Sequence, residues 1–283
     1  MKTVLEVIKA SADYFARNKV TSPRLNIEHL LAHVLGKKRM DLYMEFDRPL
    51  SEAELAPLRD LVKRRAAGEP LQYLLGTAEF LSHTLKCDAR ALIPRPETEE
   101  LVEALMLEAK ADDCVWKRGH IVDVGTGSGC IALALAAAFP EARVTAVDCS
   151  DAALALAAEN ASRLGLSERV VFLKSDLLAA VDGPIDLLVA NLPYIPSAEI
   201  PGLEREVLCE PRLALDGGHD GLALVRRLLE EAAPKLSPGA RIALELHLDQ
   251  PSRLAAELPH LAGARAVKDL SDRERFLFAN TPA

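Results

Sequence analysis

Paired cysteines, long apolar runs, a leader-like N-terminus and an excess of positive charge are all missing from this chain of 283 residues. Its five cysteines, Cys87, Cys114, Cys130, Cys149 and Cys209, are odd in number and scattered, with no C-x-x-C pair among them. That argues against a disulfide framework or a cysteine zinc site and fits a reducing cytosol. The longest apolar run, Cys130 to Phe139, has ten residues, half of the roughly 20 that a membrane helix needs. The opening stretch MKTVLEVIKASADYF interleaves charge with apolar residues and offers no signal-peptide core. Net charge is −8, unevenly spread: residues 1–70 hold 13 Lys and Arg against 10 Asp and Glu, and the remainder holds 21 against 32. Nucleic-acid binding by phosphate neutralisation calls for a basic face, so the acidic second part is a poor grip for DNA or RNA. Internal repeats and low-complexity tracts are absent too. A hydrophobic content of 49% with 27% charged residues is that of a folded soluble chain, long enough for two domains.

What is present divides by pattern. Leu5, Ile8, Ala12 and Phe15, and then Ile27, Leu30, Leu31, Val34 and Leu35, follow helical spacing, with Gly36 as a stop. Ser51 and Glu54 form a capping box that opens a helix to about Ala67, with Pro57 expected to kink it and Gly68 and Pro70 to end it. Residues 1–70 therefore read as a helical domain. Residues 71–93 read as a β-hairpin linker, from short extended stretches among turn residues. From residue 94 to 283, strands and helices alternate. Strands are expected at 121–124, 143–148, 169–173, 185–190 and 240–246, with two short ones near 264–267 and 275–279. Helices are expected at 131–139, 152–164, 222–236 and 251–258. Such alternation predicts an α/β fold with a mostly parallel sheet covered by helices on both faces.

Between the first strand and its helix lies Asp123-Val-Gly125-Thr-Gly127-Ser-Gly129. Glycines there let the backbone turn and approach a ligand, and the helix N-terminus behind them suits an anionic group. Asp148 closes the next strand, where a carboxylate can accept from both ribose hydroxyls. Together these point to an adenosine-containing cofactor. A dinucleotide fingerprint G-x-G-x-x-G fails at Cys130. The G-x-G-x-G pattern, with its acid two residues upstream, is similar to the S-adenosylmethionine loop of class I methyltransferases.

The apolar strand 185–190 runs into Asn191-Leu192-Pro193-Tyr194. An amide or exocyclic amino group is a weak nucleophile with two N–H donors to satisfy. The Asn191 side-chain oxygen can take one and a nearby backbone carbonyl the other, so that catalysis is mostly positioning. Pro193 holds Leu192 extended, and Tyr194 offers a flat wall.

Asn-x-Pro-Tyr at this place resembles the amino-group methyltransferases: adenine-N6 enzymes of DNA, rRNA adenine dimethylases and protein-glutamine methyltransferases. Ile93-Pro-Arg95-Pro-Glu97-Thr-Glu99 resembles the hallmark of the HemK/PrmC family, the glutamine-N5 methyltransferases of class-1 peptide chain release factors. Pro70-Leu-Gln-Tyr73 with Gly76 and Phe80, and Glu210-Pro with Ala214 to Gly218 and Asp220-Gly221-Leu222, resemble further stretches of that family. Two departures stand out: Leu192 where the family carries proline, and His247 where its E-x-G-x-x-Q pattern carries glycine.

The resemblance implies a class I (Rossmann-like) methyltransferase domain with a seven-stranded sheet, S-adenosylmethionine as cofactor and the Gly-Gly-Gln loop of a release factor as substrate. It implies that Gly125, Thr126, Gly127, Ser128 and Gly129 line the methionine end of the cofactor, that Asp148 holds the ribose, and that Asp176 and Leu177 flank the adenine. Asn191, Leu192, Pro193 and Tyr194 would bind the glutamine, with Asn191 also beside the cofactor and Asn191, Pro193 and Tyr194 catalytic. Arg95 and Glu97 would shape the cleft wall. No metal, membrane or direct nucleic-acid contact is expected, and a cytoplasmic monomer is. The alternative is a nucleic-acid adenine-N6 methyltransferase. His29 and His33, spaced i, i+4, lack the companions of a metal site. Lys37-Lys38-Arg39 and Lys63-Arg64-Arg65 are either solvated faces or a dock for an acidic partner surface. Cys130 and Cys149 read as small packing residues.

Overall fold

A computed structural model describes residues 2–111 and 114–282. It forms two compact units. One comprises residues 1–77 with 204–209, the other residues 78–203 with 210–283.

The first unit is helical. Helix α1 (Val4–Arg17) starts from a capping box in which Thr3 and Glu6 satisfy each other's backbone N–H. Helix α2 (Pro23–Leu35) has proline in its first turn and ends on Gly36 in the left-handed region. Helix α3 (Glu52–Ala66) starts at the expected Ser51–Glu54 box and continues through Pro57 to Ala66. Residues 71–75 are not part of a hairpin: they form a short helix, α4 (Leu71–Leu75), whose Leu74 is buried with Leu30, Leu31 and Leu58. The apolar core of this unit takes Val4, Ile8 and Phe15 from α1 and Ile27, Leu30 and Leu31 from α2. Within it, the wholly buried Glu28 carboxylate accepts from Arg24 (2.8 Å), Arg39 (2.8 Å) and Tyr43. Arg65 is also buried, donating to Asn26 Oδ1 at 2.6 Å and paired with Glu206.

From Ala78 on, the second unit opens with a hairpin of β1 (Thr77–Phe80, its first residue still in the first unit) and β2 (His83–Lys86), closed by Leu81 at φ +52°. Helix α5 (Pro96–Ala111) follows, and at 16 residues it is the longest among those described. Sequence reasoning did not predict it, although Leu101, Val102, Leu105 and Ala109 carry its buried face at helical spacing. Strands and helices then alternate: β3 (His120–Val124), α6 (Cys130–Ala138), β4 (Arg143–Asp148), α7 (Asp151–Arg163), β5 (Val170–Lys174), β6 (Ile185–Ala190), α8 (Ala223–Ala232), β7 (Leu236–Glu245), α9 (Gln250–Glu257), β8 (Ala262–Lys268) and β9 (Glu274–Asn280).

The last seven of these strands form one sheet in the order β5-β4-β3-β6-β7-β9-β8. Every neighbouring pair from β5 to β7 is parallel, and β9 is antiparallel to both its neighbours. Side chains alternate between two cores, as a strand's period of two requires. Leu187 and Val189 of β6 join Leu101 of α5 and Leu133 of α6 on one face. Leu188 and Ala190 join Val225 and Leu228 of α8 and Leu254 of α9 on the other. Burial on both faces explains why β6, apart from Asp186, reads as an apolar run rather than an alternating one. Chain order reverses between β3 and β6: β4 and β5 lie to one side, the later strands to the other. At such a switch point the loops leaving the carboxyl ends of β3 and β6 diverge and open a crevice. No helix among the described residues is long and apolar enough to cross a membrane.

Candidate active site

The crevice at the switch point is a cavity of about 240 Å³. Gly125 to Ser128 line it from the β3 side, Asp148 and Cys149 from the end of β4, Asp176 and Leu177 from the loop after β5, and Asn191, Leu192 and Pro193 from the end of β6. Residues 90–95 form the opposite wall. Thus the expected residues come together, with three exceptions: Gly129, Tyr194 and Glu97 do not line the cavity.

The glycine loop holds its shape by left-handed backbone at Gly125 (φ +74°), Gly127 (+57°) and Gly129 (+83°). Gly129 caps α6, where a Cβ would stand 3.1 Å from Ala157 and Leu133. Its task is helix packing rather than lining the crevice. Gly125 and Thr126 both donate their backbone N–H to Val147 O, at 2.9 and 3.0 Å, which ties the loop to β4. Beneath it, Asp123 is wholly buried and accepts from Thr126 Oγ1 at 2.6 Å and from the Ala132 N–H at 3.2 Å. Burial, with Asp148 adding repulsion, pushes the Asp123 carboxyl up to about 7 despite those two donors. Asp148 is only partly buried. One of its oxygens accepts from the Gly127 N–H (3.0 Å) and the other from the Ser150 N–H (2.9 Å), which leaves further lone pairs on both. Asp176 is exposed and paired with Arg227.

The hairpin segment is fastened onto this loop by one side chain. Asn160, fully buried on α7, accepts from the Lys86 N–H at 2.6 Å and donates to Lys86 O and to Ser128 O. Ala91 then packs with Ala153 and Leu156, 3.8 Å from where a Gly127 Cβ would be. Arg95 lines the cavity and pairs with the buried carboxylate of Glu210, whose other oxygen accepts from the Ile93 N–H at 2.9 Å.

Asn191 sits at the end of β6, and its Nδ2 donates to Thr98 Oγ1 at 3.0 Å. Thr98 in turn donates to Glu245 Oε2 at 2.7 Å, and the Tyr194 hydroxyl lies 3.4 Å from Glu245 Oε1. Thr98 and Glu245 are both buried. Burial pushes Glu245 up to about 7, although Thr98 and the charge of Arg275 pull it down. Burial and the neighbouring Glu245 likewise raise the Tyr194 phenol. Neither Thr98 nor Glu245 received a role from sequence. Each lay inside a recognised motif, but the signal that joins them is spatial.

The family departures have local explanations. Leu192 is buried, and its Cδ2 would stand 2.8 Å from a Cβ at position 125. The leucine therefore fills the space that glycine leaves in the glycine loop. His247 does not occupy the left-handed region; Asp249 does, at φ +56°. A glycine is thus not demanded at position 247. The turn closes through His247 N donating to Gln250 Oε1 at 2.9 Å, while Gln250 Nε2 donates to Tyr194 O at 3.0 Å. Gly217 and Gly221 back the same loop: a Cβ on Gly217 would stand 2.6 Å from Pro193 O, and one on Gly221 would strike Tyr194 O.

Cys130 is partly buried against the sheet core, its thiol pushed up to about 12, but Cys149 is exposed at the cavity and is not a packing residue. His29 is partly buried and His33 exposed, in different surroundings. In the basic clusters, Lys37 pairs with Glu45, Arg39 with Glu28, Arg64 with Glu69 and Arg65 with Glu206. Those cations are engaged inside their own unit.

Comparison with known proteins decides the family. Residues 6–76 match the PrmC N-terminal domain and residues 98–218 the methyltransferase small domain. A release factor glutamine methyltransferase of Moorella thermoacetica is 43% identical over 282 residues, 98% of each chain. The chain belongs to the release factor glutamine methyltransferase family. Its namesakes in Chlorobaculum tepidum (44% over 270 residues, 93% of this chain and 90% of that one) and Deinococcus radiodurans (42% over 264 residues, 93% of each) agree. Among solved structures, a ribosomal protein L11 methylase from Lactobacillus delbrueckii subsp. bulgaricus matches with a TM-score of 0.50 at 21% identity, covering 68% of this chain and 82% of that one. A T. thermophilus 16S rRNA methyltransferase matches with 0.51 at 21%, covering 72% and 49%. At that identity they share the fold of the sheet-bearing unit with this family member.

Proposed function

We propose that the protein methylates the side-chain amide nitrogen of the glutamine in the Gly-Gly-Gln loop of class-1 peptide chain release factors, with S-adenosylmethionine supplying an electrophilic methyl on a sulfonium. The observation that carries this reading is the arrangement of Asn191 at the switch point. Its NH₂ is held by Thr98, and no protein donor among the described residues reaches its oxygen. An acceptor aimed at the crevice is what the two N–H donors of a carboxamide require.

The residues present fit the cofactor. Gly125 and Gly127 bring bare backbone to the cavity, and Asp148 offers a part-exposed carboxylate with unused lone pairs at the end of the neighbouring strand. Gly125, Thr126, Gly127 and Ser128 would hold the methionine end, Asp148 the ribose hydroxyls, and Asp176 and Leu177 the adenine. Asn191 would accept one N–H of the glutamine amide, hold its nitrogen in line with the donor and keep its lone pair directed at the methyl. Pro193 would keep the loop extended with no competing N–H. Tyr194 acts from behind, against Glu245, rather than as a wall of the crevice. With so weak a nucleophile, orientation contributes most of the rate.

Family membership favours the glutamine over the adenine acceptor, and the acidic second part of the chain agrees. A cytoplasmic enzyme acting as a monomer completes the proposal. Asn191→Ala is expected to lower kcat by roughly 10²-fold or more, read as methyl transfer to a purified release factor. Turnover within a few-fold of the parent, or transfer to rRNA or DNA in preference to the release factor, would overturn it.

A further inference from the structure

We propose that Thr98 and Glu245 are positioning residues: a buried hydroxyl–carboxyl relay that determines which end of the Asn191 amide faces the substrate. The inference rests on the reading of Asn191 given above and adds to it the groups that make that reading work.

An asparagine amide has nearly the same shape after its end is rotated by half a turn. Its two faces to a substrate are nevertheless opposite in kind, one an acceptor and the other a double donor. A glutamine NH₂ meeting the Asn191 NH₂ would find donors opposed to donors. Something in the fold has to select the rotamer, and the hydroxyl of Thr98 can do so because it has a single hydrogen. With Glu245 ionised, its Oε2 can only accept, and that hydrogen goes to it, 2.7 Å away. The remaining lone pairs of Thr98 Oγ1 can only accept, so the group at 3.0 Å must be the amide NH₂ of Asn191, and the amide oxygen is turned away from it. Thr98 and Glu245 are 2% and 1% exposed. Water therefore does not compete for these bonds, and leaving any of them unmade is costly.

The three residues come from the first turn of α5, the end of β7 and the end of β6. The relay therefore joins three elements at one point. Glu245 Oε1 also faces the Tyr194 hydroxyl at 3.4 Å, so a single carboxyl steadies both ends of the Asn191–Tyr194 tetrapeptide. This gives the threonine of the Ile93–Glu99 stretch a chemical task that valine, of the same shape, cannot perform.

The test compares Thr98→Val, which removes the hydroxyl, with Thr98→Ser, which keeps it. Asn191→Ala is carried alongside. Methyl transfer to a purified release factor is measured together with S-adenosylmethionine binding by calorimetry and thermal unfolding. Thr98→Val is expected to bind S-adenosylmethionine within about twofold of the parent while kcat/KM for the release factor falls roughly 10- to 100-fold, as misdirection of one positioning group does. Thr98→Ser is expected to recover most of that loss. Should Thr98→Val not fold, Thr98→Ala takes its place against Thr98→Ser. If Asn191→Ala is inactive but the hydroxyl-free variant works as the parent does, the relay is refuted and the role of Asn191 survives. If Asn191→Ala itself turns over normally, the underlying reading fails. Equal losses in the serine and hydroxyl-free variants would show that only packing matters and would refute the relay.

Discussion

Gly125 and Leu192 belong to different motifs, 67 positions apart in the chain, and a double-mutant cycle can ask whether they meet. Gly125→Ala places a methyl on a backbone at φ +74°, 2.8 Å from Leu192 Cδ2. The left-handed conformation costs about 1–2 kcal/mol for a residue with a Cβ, and the overpacking about 1–3 kcal/mol more. Leu192→Ala alone removes a buried side chain and costs about 2–5 kcal/mol. In the double variant the clash disappears and the backbone penalty stays. Its destabilisation should therefore be smaller than the sum of the two by about 1–3 kcal/mol. The only tryptophan, Trp116, is buried in the core of the sheet-bearing unit, so urea unfolding followed by its fluorescence reports on the correct unit. Linear extrapolation gives each stability, with an unchanged slope as the check on the unfolded state. Additivity within about 0.5 kcal/mol would mean that the two loops are not in contact, and the account of Leu192 as the partner of Gly125 would fail.

Two further outcomes follow from buried carboxylates. Glu245 has its folded pKa raised from 4.5 to about 7 by burial, so its contribution to stability is complete below pH 4.5 and drains as pH rises to about 7, by about 3 kcal/mol. Asp123, also raised to about 7, acts in the same direction. Glu245→Gln should flatten the fall in stability between pH 5 and 8, and slopes that stay equal in parent and variant would refute the assignment. In the helical unit, burial raises the Glu28 carboxyl, but hydrogen bonds from Arg24, Arg39 and Tyr43 outweigh it and bring the pKa below 4.5. Its stabilisation is present above pH 4.5 and is lost as pH falls through that lower value. Glu28→Ala should cost about 1–3 kcal/mol, short of the larger penalty for a stranded buried charge because Arg24 is 60% and Arg39 33% exposed and both can turn to water. An unshifted melting curve by circular dichroism would contradict it.

The chain's own pattern determined the alternation of strands and helices, the mostly apolar character of β6, and the three stretches that meet at the crevice: the glycine loop, Asp148 and Asn191–Pro193. These signals are local. Period-2 and period-3.6 spacing, and glycine where φ must be positive, operate within a few residues and leave a mark there. The same locality explains the errors. Pro70 and Gly76 make α4 read as extended chain, and the prolines that open α5 mask the apolar spacing behind them. What only the tertiary structure decided is which side chains touch across long separations. Thr98 joins Asn191 and Glu245, Asn160 joins the hairpin to the glycine loop, and Leu192 fills the space at Gly125. Such contacts depend on strand order and register, which place positions some 30 to 150 apart within hydrogen-bond reach, and no short window along the chain contains both partners.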